Sequence, residues 1–165
     1  MNEPESRSSA APDASRDIAN RPSRARYDKV KHGLDLKWRR RVPQAERMMR
    51  EVVDGLWDAF GGSPWTWCGL WLPQPDGKVF QPGPARPEPA AAAVAVEGAR
   101  GAALTSATSS RASGGICVPV LDKNGRAWAV FEAASAADFD DMDARWIERL
   151  FKAFQAIERP DHPLL

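Results

Sequence analysis

Cys68 and Cys117 are the two cysteines of this 165-residue chain, and a cysteine thiolate would be its strongest nucleophile. Thiol-based reduction needs one accessible thiolate and a second thiol near enough to resolve it as a disulfide. Both cysteines instead fall inside apolar runs, Trp65-Thr66-Trp67-Cys68-Gly69-Leu70-Trp71 and Gly114-Gly115-Ile116-Cys117-Val118-Pro119-Val120. Such surroundings keep a thiol protonated and out of reach, so both are expected to be core residues. The two histidines, His32 and His162, lie in the terminal segments. Neither has the spacing to the cysteines that a zinc site needs. The chain also lacks a Gly-rich phosphate loop and a Ser-His-Asp set. No catalytic residue, metal ligand or cofactor is therefore expected. Glu132 is a different matter: it is an acid within the apolar run Ala127-Trp128-Ala129-Val130-Phe131-Glu132-Ala133-Ala134. It must face solvent or find a partner. With Trp67 and Trp71 it forms the candidate ligand-binding set.

These residues depend on a small number of elements for their placement. Ala45, Met48, Met49, Val52, Val53, Leu56 and Phe60 make one apolar helical face, with Pro43 before it and Gly61-Gly62 to end it. Trp65, Trp67, Gly69 and Trp71 alternate with Thr66, Cys68, Leu70 and Leu72, the pattern of a central strand with two apolar faces. Asp76-Gly77 predicts a hairpin into a short return strand, Lys78–Gln81. The proline-rich stretch 82–93 reads as a loop whose run of alanines can add a helical turn. Val94–Leu104 suggests a short strand interrupted by Gly98 and Gly101, and Thr105–Gly115 a flexible loop. Ile116–Leu121 and Arg126–Ala134 are expected to pair as antiparallel strands across Asn124-Gly125. Asp140 and Asp143 predict a capping box for a last helix whose buried stripe is Trp146, Ile147, Leu150, Phe154 and Ile157. Helices flanking an antiparallel sheet make an α+β domain.

The stretch from Gly114 through Val118-Pro119-Val120, Gly125, the strand ending at Ser135, and Phe139-Asp140-Asp141-Met142-Asp143 resembles the closing half of a GAF domain. Upstream, Trp65-Thr66-Trp67-Cys68-Gly69-Leu70-Trp71 followed by Pro82-Gly83-Pro84 is similar to the pattern of free methionine-(R)-sulfoxide reductases, which are GAF proteins. The resemblance spans Val42 to Ile157. It implies a GAF-like antiparallel sheet with the N- and C-terminal helices packed on one face. It does not carry over the reductase's chemistry. The position of that family's attacking cysteine falls near Thr108 and Ser109, and the region of its resolving cysteine, Ala85–Ala95, contains none. The family's Glu before the Val-Pro strand falls on Gly115, while its two strand-end acids correspond to Glu132 and Ala134. Trp67 keeps the family's tryptophan and Trp71 replaces its tyrosine.

Composition sets the remaining expectations. Residues 1–41 hold eleven Lys and Arg against six Asp and Glu, although the whole chain carries a net charge of only +1. A basic arm beside an acidic domain suits docking on nucleic acid or an acidic partner. The expected organisation is a disordered tail over 1–25, a basic arm or leader helix over 26–41, the GAF-like domain over 42–158 and a short tail over 159–165. Tyr27, Val30, Leu34 and Trp38 give the arm helical spacing. The absence of an apolar run long enough for a membrane span and the acidic start Met1-Asn2-Glu3-Pro4-Glu5 point to a cytoplasmic protein. The function expected is that of a non-catalytic sensory or regulatory domain for a small ligand or a protein partner, acting through a homodimer or a separate effector. An interaction module built on the basic arm is one alternative, and a degenerate reductase is the other.

Overall fold

A computed structural model of the protein describes residues 7–156, with side chains described from Ser23 onward. Four helices and a six-stranded antiparallel sheet account for most of it: α1 Arg7–Trp38, α2 Ala45–Phe60, β1 Trp65–Pro73, β2 Val79–Arg86, β3 Val94–Ala95, α3 Gly98–Ser106, β4 Ser110–Ala112, β5 Gly115–Leu121, β6 Ala127–Ser135 and α4 Asp141–Phe151, the last running into a 3-10 turn over Lys152–Ala156. The sheet order is β3-β2-β1-β6-β5-β4. Every adjacent pair runs antiparallel. This is the expected α+β architecture, with β5 and β6 paired as their patterning requires.

One sheet face carries the main core. α1, α2, α4 and the 3-10 turn after it bury Tyr27, Val30, Leu34, Met48, Val52, Leu56, Ile147, Leu150 and Phe154 in a single cluster with Cys68, Leu70, Leu72, Val118, Val120 and Phe131. The stripes expected on α2 and α4 therefore enter one core, and α1 packs against both helices. The expected capping box forms. Asp140 Oδ1 accepts from the Asp143 amide at 3.0 Å, and Asp143 Oδ2 accepts from the Asp140 amide at 2.9 Å. The other oxygen of Asp143 accepts from Tyr27 Oη at 2.8 Å, which fastens α1 to the start of α4.

Several boundaries differ from expectation. The apolar face of the arm is part of the core, with Tyr27 and Leu34 buried, so the domain starts before residue 42. The helix begins at Arg7, within the tail expected to lack regular structure. Residues 1–6 and 157–165, with His162, Ile157 and the expected C-terminal tail, lie outside the described residues.

β2 is longer than the expected Lys78–Gln81 and includes Pro82 and Pro84. Its outer neighbour β3 pairs only with Val79 and Phe80. Beyond that point the outer edge of β2 needs no N–H donors, and proline is tolerated. Val94–Leu104 contains little strand and mostly helix, because α3 opens at Gly98 with φ +64° and lays Gly101 against the Val96 backbone, where a Cβ would come within 3.0 Å. Part of the expected loop over 105–115 is the edge strand β4, paired with β5.

Candidate functional site

The second face of the sheet is smaller and covered by α3 and the chain leading into it. Its buried core is Trp71, Phe80, Ala103, Cys117 and Val130, with Trp67, Val94, Val96 and Leu104 packed around it. Register decides who stands there. Glu132 lies between Gly69 on β1 and Cys117 on β5. Trp67, Gly69 and Trp71 alternate along β1 onto the same side. Trp65 does not join them. A bulge between Trp65 and Trp67 shifts the phase, and Trp65 turns to the helical face to stack on Phe60 with centroids 4.7 Å apart.

All three candidate residues come together. Trp71 Nε1 donates to Glu132 Oε1 at 2.8 Å, and the rings of Trp67 and Trp71 lie 6.1 Å apart. Trp67 Nε1 donates to the carbonyl of Glu88 at 3.0 Å, in the segment that follows β2. Gly69 allows this arrangement, since a Cβ there would meet the Trp67 ring at 2.8 Å and Ala85 at 2.4 Å.

A fourth residue completes the cluster and was not among the sequence-derived candidates. Arg100, on the first turn of α3, donates from Nε to Glu132 Oε1 at 2.8 Å. Its guanidinium carbon lies 4.8 Å from the centroid of the Trp71 ring. The only hint in the sequence was the unmet need of Glu132 for a partner. With side-chain exposures of 22% for Glu132 and 35% for Arg100, the pair is partly sheltered yet in touch with solvent.

The thiols lie on opposite faces. Cys68 belongs to the helical core and Cys117 to the α3 side, so the sheet separates them and they cannot pair as they stand. Burial raises each thiol pKa to about 12. For Cys68 the effect is trimmed by Arg86 and added to by Asp54; for Cys117, Glu132 adds and Arg100 subtracts. Neither is a thiolate near neutral pH. Thr108 lies on the surface after α3, its hydroxyl 2.7 Å from that of Ser106. Ser109 donates to Glu148 of α4. Among the described residues, no group of three or more His, Cys, Asp or Glu side chains is placed to hold a metal, and no helix is long and apolar enough to cross a membrane.

No protein-family model matches the sequence, and no curated protein does either. Solved structures do match. A GAF domain superposes with a TM-score of 0.67 at 16% identity, covering 81% of this chain and 90% of that one. The GAF domain of a phosphoenolpyruvate-protein phosphotransferase from Coxiella burnetii gives 0.65 at 11% identity, over 80% and 92% of the two chains. The free methionine-R-sulfoxide reductase from Neisseria meningitidis, solved with its substrate, gives 0.61 at 18% identity, over 79% and 84%. At such identities the likeness is one of architecture, which agrees with the six-stranded sheet and its helical face: this chain has the GAF fold.

Proposed function

We propose that the chain is a non-catalytic sensory or regulatory GAF-like domain that binds a small ligand on the α3 side of its sheet, through Trp67, Trp71 and Glu132. The observation that carries this reading is their convergence. Two indole rings and one carboxylate meet on a face that is otherwise apolar, the combination of broad apolar contact and few polar groups that small-molecule sites use. Sheet strands hold all three residues, so the face is rigid, whereas α3 above it is a nine-residue helix. A ligand that enters beneath α3 would alter how that helix sits, which is a route from binding to a partner or effector.

The test is thermal. A ligand that binds only the folded state at a hundred times its Kd adds about 2.7 kcal/mol of stability. A panel of small metabolites should therefore include compounds that raise the melting temperature of the wild type but not of Trp67→Ala or Glu132→Gln. A panel that stabilises neither the wild type nor Arg100→Ala would remove the reading.

One observation supports the alternative through the basic arm. Arg26, Lys29 and Lys37 border a groove of about 400 Å³ between α1 and α2, which also includes Glu51 and Asp58. Arg26, Lys29 and Lys37 are exposed on α1, while Tyr27, Val30 and Leu34 of the same helix are buried. Binding to nucleic acid through these cations would weaken steeply with salt, and elution from a DNA column independent of salt would exclude it.

A further inference from the structure

The ligand face already holds a cation of its own. Glu132 Oε1 accepts from both Trp71 Nε1 and Arg100 Nε, each at 2.8 Å, and the Arg100 guanidinium lies over the Trp71 ring at 4.8 Å. A carboxylate beside an aromatic face is a cation-recognition arrangement: the acid supplies charge and hydrogen bonds, the ring its quadrupole. The strand neighbours of Glu132, Gly69 and Cys117, offer no charge to balance it. The Trp67 ring borders the same space.

Arg100 reaches this position from a short helix, on a side chain that is about one-third exposed. Its head group can leave by rotation of its own side chain, without moving the strands. The acid and the rings cannot follow, because Trp71 is buried and Glu132 is hydrogen-bonded to it. The result is a fixed site with a removable occupant.

Taking as given that this face binds a small ligand, we infer that Arg100 is a tethered stand-in for that ligand, and that the ligand is a small organic cation, an alkylguanidinium or alkylammonium, which displaces Arg100 from Glu132 and Trp71. The tether makes Arg100 a competitor at high local concentration. Apparent affinity for a free cation is lowered by the fraction of molecules in which Arg100 is seated. Displacement frees the first turn of α3 and couples occupancy to that helix.

The probe is n-butylguanidinium, titrated at constant ionic strength with sodium chloride as the control. Arg100→Ala should melt at a lower temperature than the wild type and regain the loss with added n-butylguanidinium. It should respond at a concentration about tenfold or more below that needed to shift the wild type. Arg100→Ala combined with Glu132→Gln should show no recovery. Should Arg100→Ala fail to fold, Arg100→Gln keeps the length of the side chain without its charge and gives the same comparison. Equal responses of wild type and variant, or recovery that persists without the Glu132 carboxylate, would overturn the inference. Stabilisation of the wild type by neutral or anionic compounds in a Trp67-dependent manner, with no cation response in Arg100→Ala, would also overturn it and leave the broader ligand-binding reading standing. A cation response in Arg100→Ala supports it even when no metabolite in the wider panel acts on the wild type.

Discussion

At the scale of single residues, environment decides what each group can do. Cys68 and Cys117 are potential nucleophiles by type, yet burial holds both protonated near neutral pH. In the native protein they should react with a thiol reagent at pH 8 far more slowly than after unfolding in guanidinium, and a comparable rate in both states would show that one is exposed. The sign with pH follows from the raised values. From the unfolded value of 9.0 up to about 12, the unfolded chain loses the thiol protons while the folded one keeps them. The contribution of the thiols to stability is thus complete below pH 9 and declines as pH rises through that window. Replacing both by serine should flatten the alkaline limb of a stability-versus-pH curve. Because the resemblance puts a reductase's attacking cysteine near Thr108 and Ser109, neither of which is a thiol, dithiothreitol-dependent reduction of free methionine-(R)-sulfoxide should be absent. Turnover that disappears in Cys117→Ser would contradict this.

At the scale of elements, α1 and α4 depend on each other through one hydrogen bond and a shared core. Tyr27 stacks on Trp146 with centroids 6.1 Å apart and packs on Phe60 at 4.6 Å, while its hydroxyl donates to the cap of α4. The Tyr27→Phe change keeps the packing and removes the bond. Hydrogen bonds to charged groups are worth about 1.5–3 kcal/mol, and chemical denaturation should show a loss of that order. Leu150 is 3% exposed in the helical core, and truncating a buried leucine to alanine costs about 2–5 kcal/mol. Leu150→Ala should badly destabilise the domain. Arg149 lies on the outer side, over the Trp146 ring at 4.5 Å, where an exposed cation–π contact is worth about 0.5–1 kcal/mol at most. Arg149→Ala should be nearly silent. Unchanged stability of Leu150→Ala would show that the α4 stripe does not hold the helical core together.

For the molecule as a whole, the sheet separates two cores by face: one side is filled by α1, α2 and α4, the other is covered by α3 and the chain leading into it. This division predicts where truncation matters. The buried residues of α1 described here begin at Tyr27, and the segment before it is poor in large apolar side chains. Removing residues 1–22 should leave the melting temperature nearly unchanged. Removing residues 1–41 should lower it by many degrees, since Tyr27, Val30 and Leu34 leave the core with it. Similar melting temperatures for the two deletions would show that α1 is dispensable.

Much of this architecture was legible in the chain itself. The stripes of α2 and α4, the alternation in β1, the turn at Asp122–Arg126 and the Asp140/Asp143 cap are local patterns, and local geometry is what side-chain periodicity and turn chemistry encode. The Asp122 carboxylate accepts from the Asn124 and Arg126 amides at 2.8 and 3.0 Å, all within five residues. The convergence of Trp67, Trp71 and Glu132 required only that the expected strands pair as neighbours. The rest was set in three dimensions. One bulge moved Trp65 to the far face, and no single residue type announces a bulge. Two glycines in a weak pattern became a helix because Val94–Val96 and the sheet gave it a surface to lie on. Arg100 meets Glu132 across 32 positions of sequence, through α3 and two strands. Composition can state that a strand acid needs a partner; only the packed chain decides which cation reaches it.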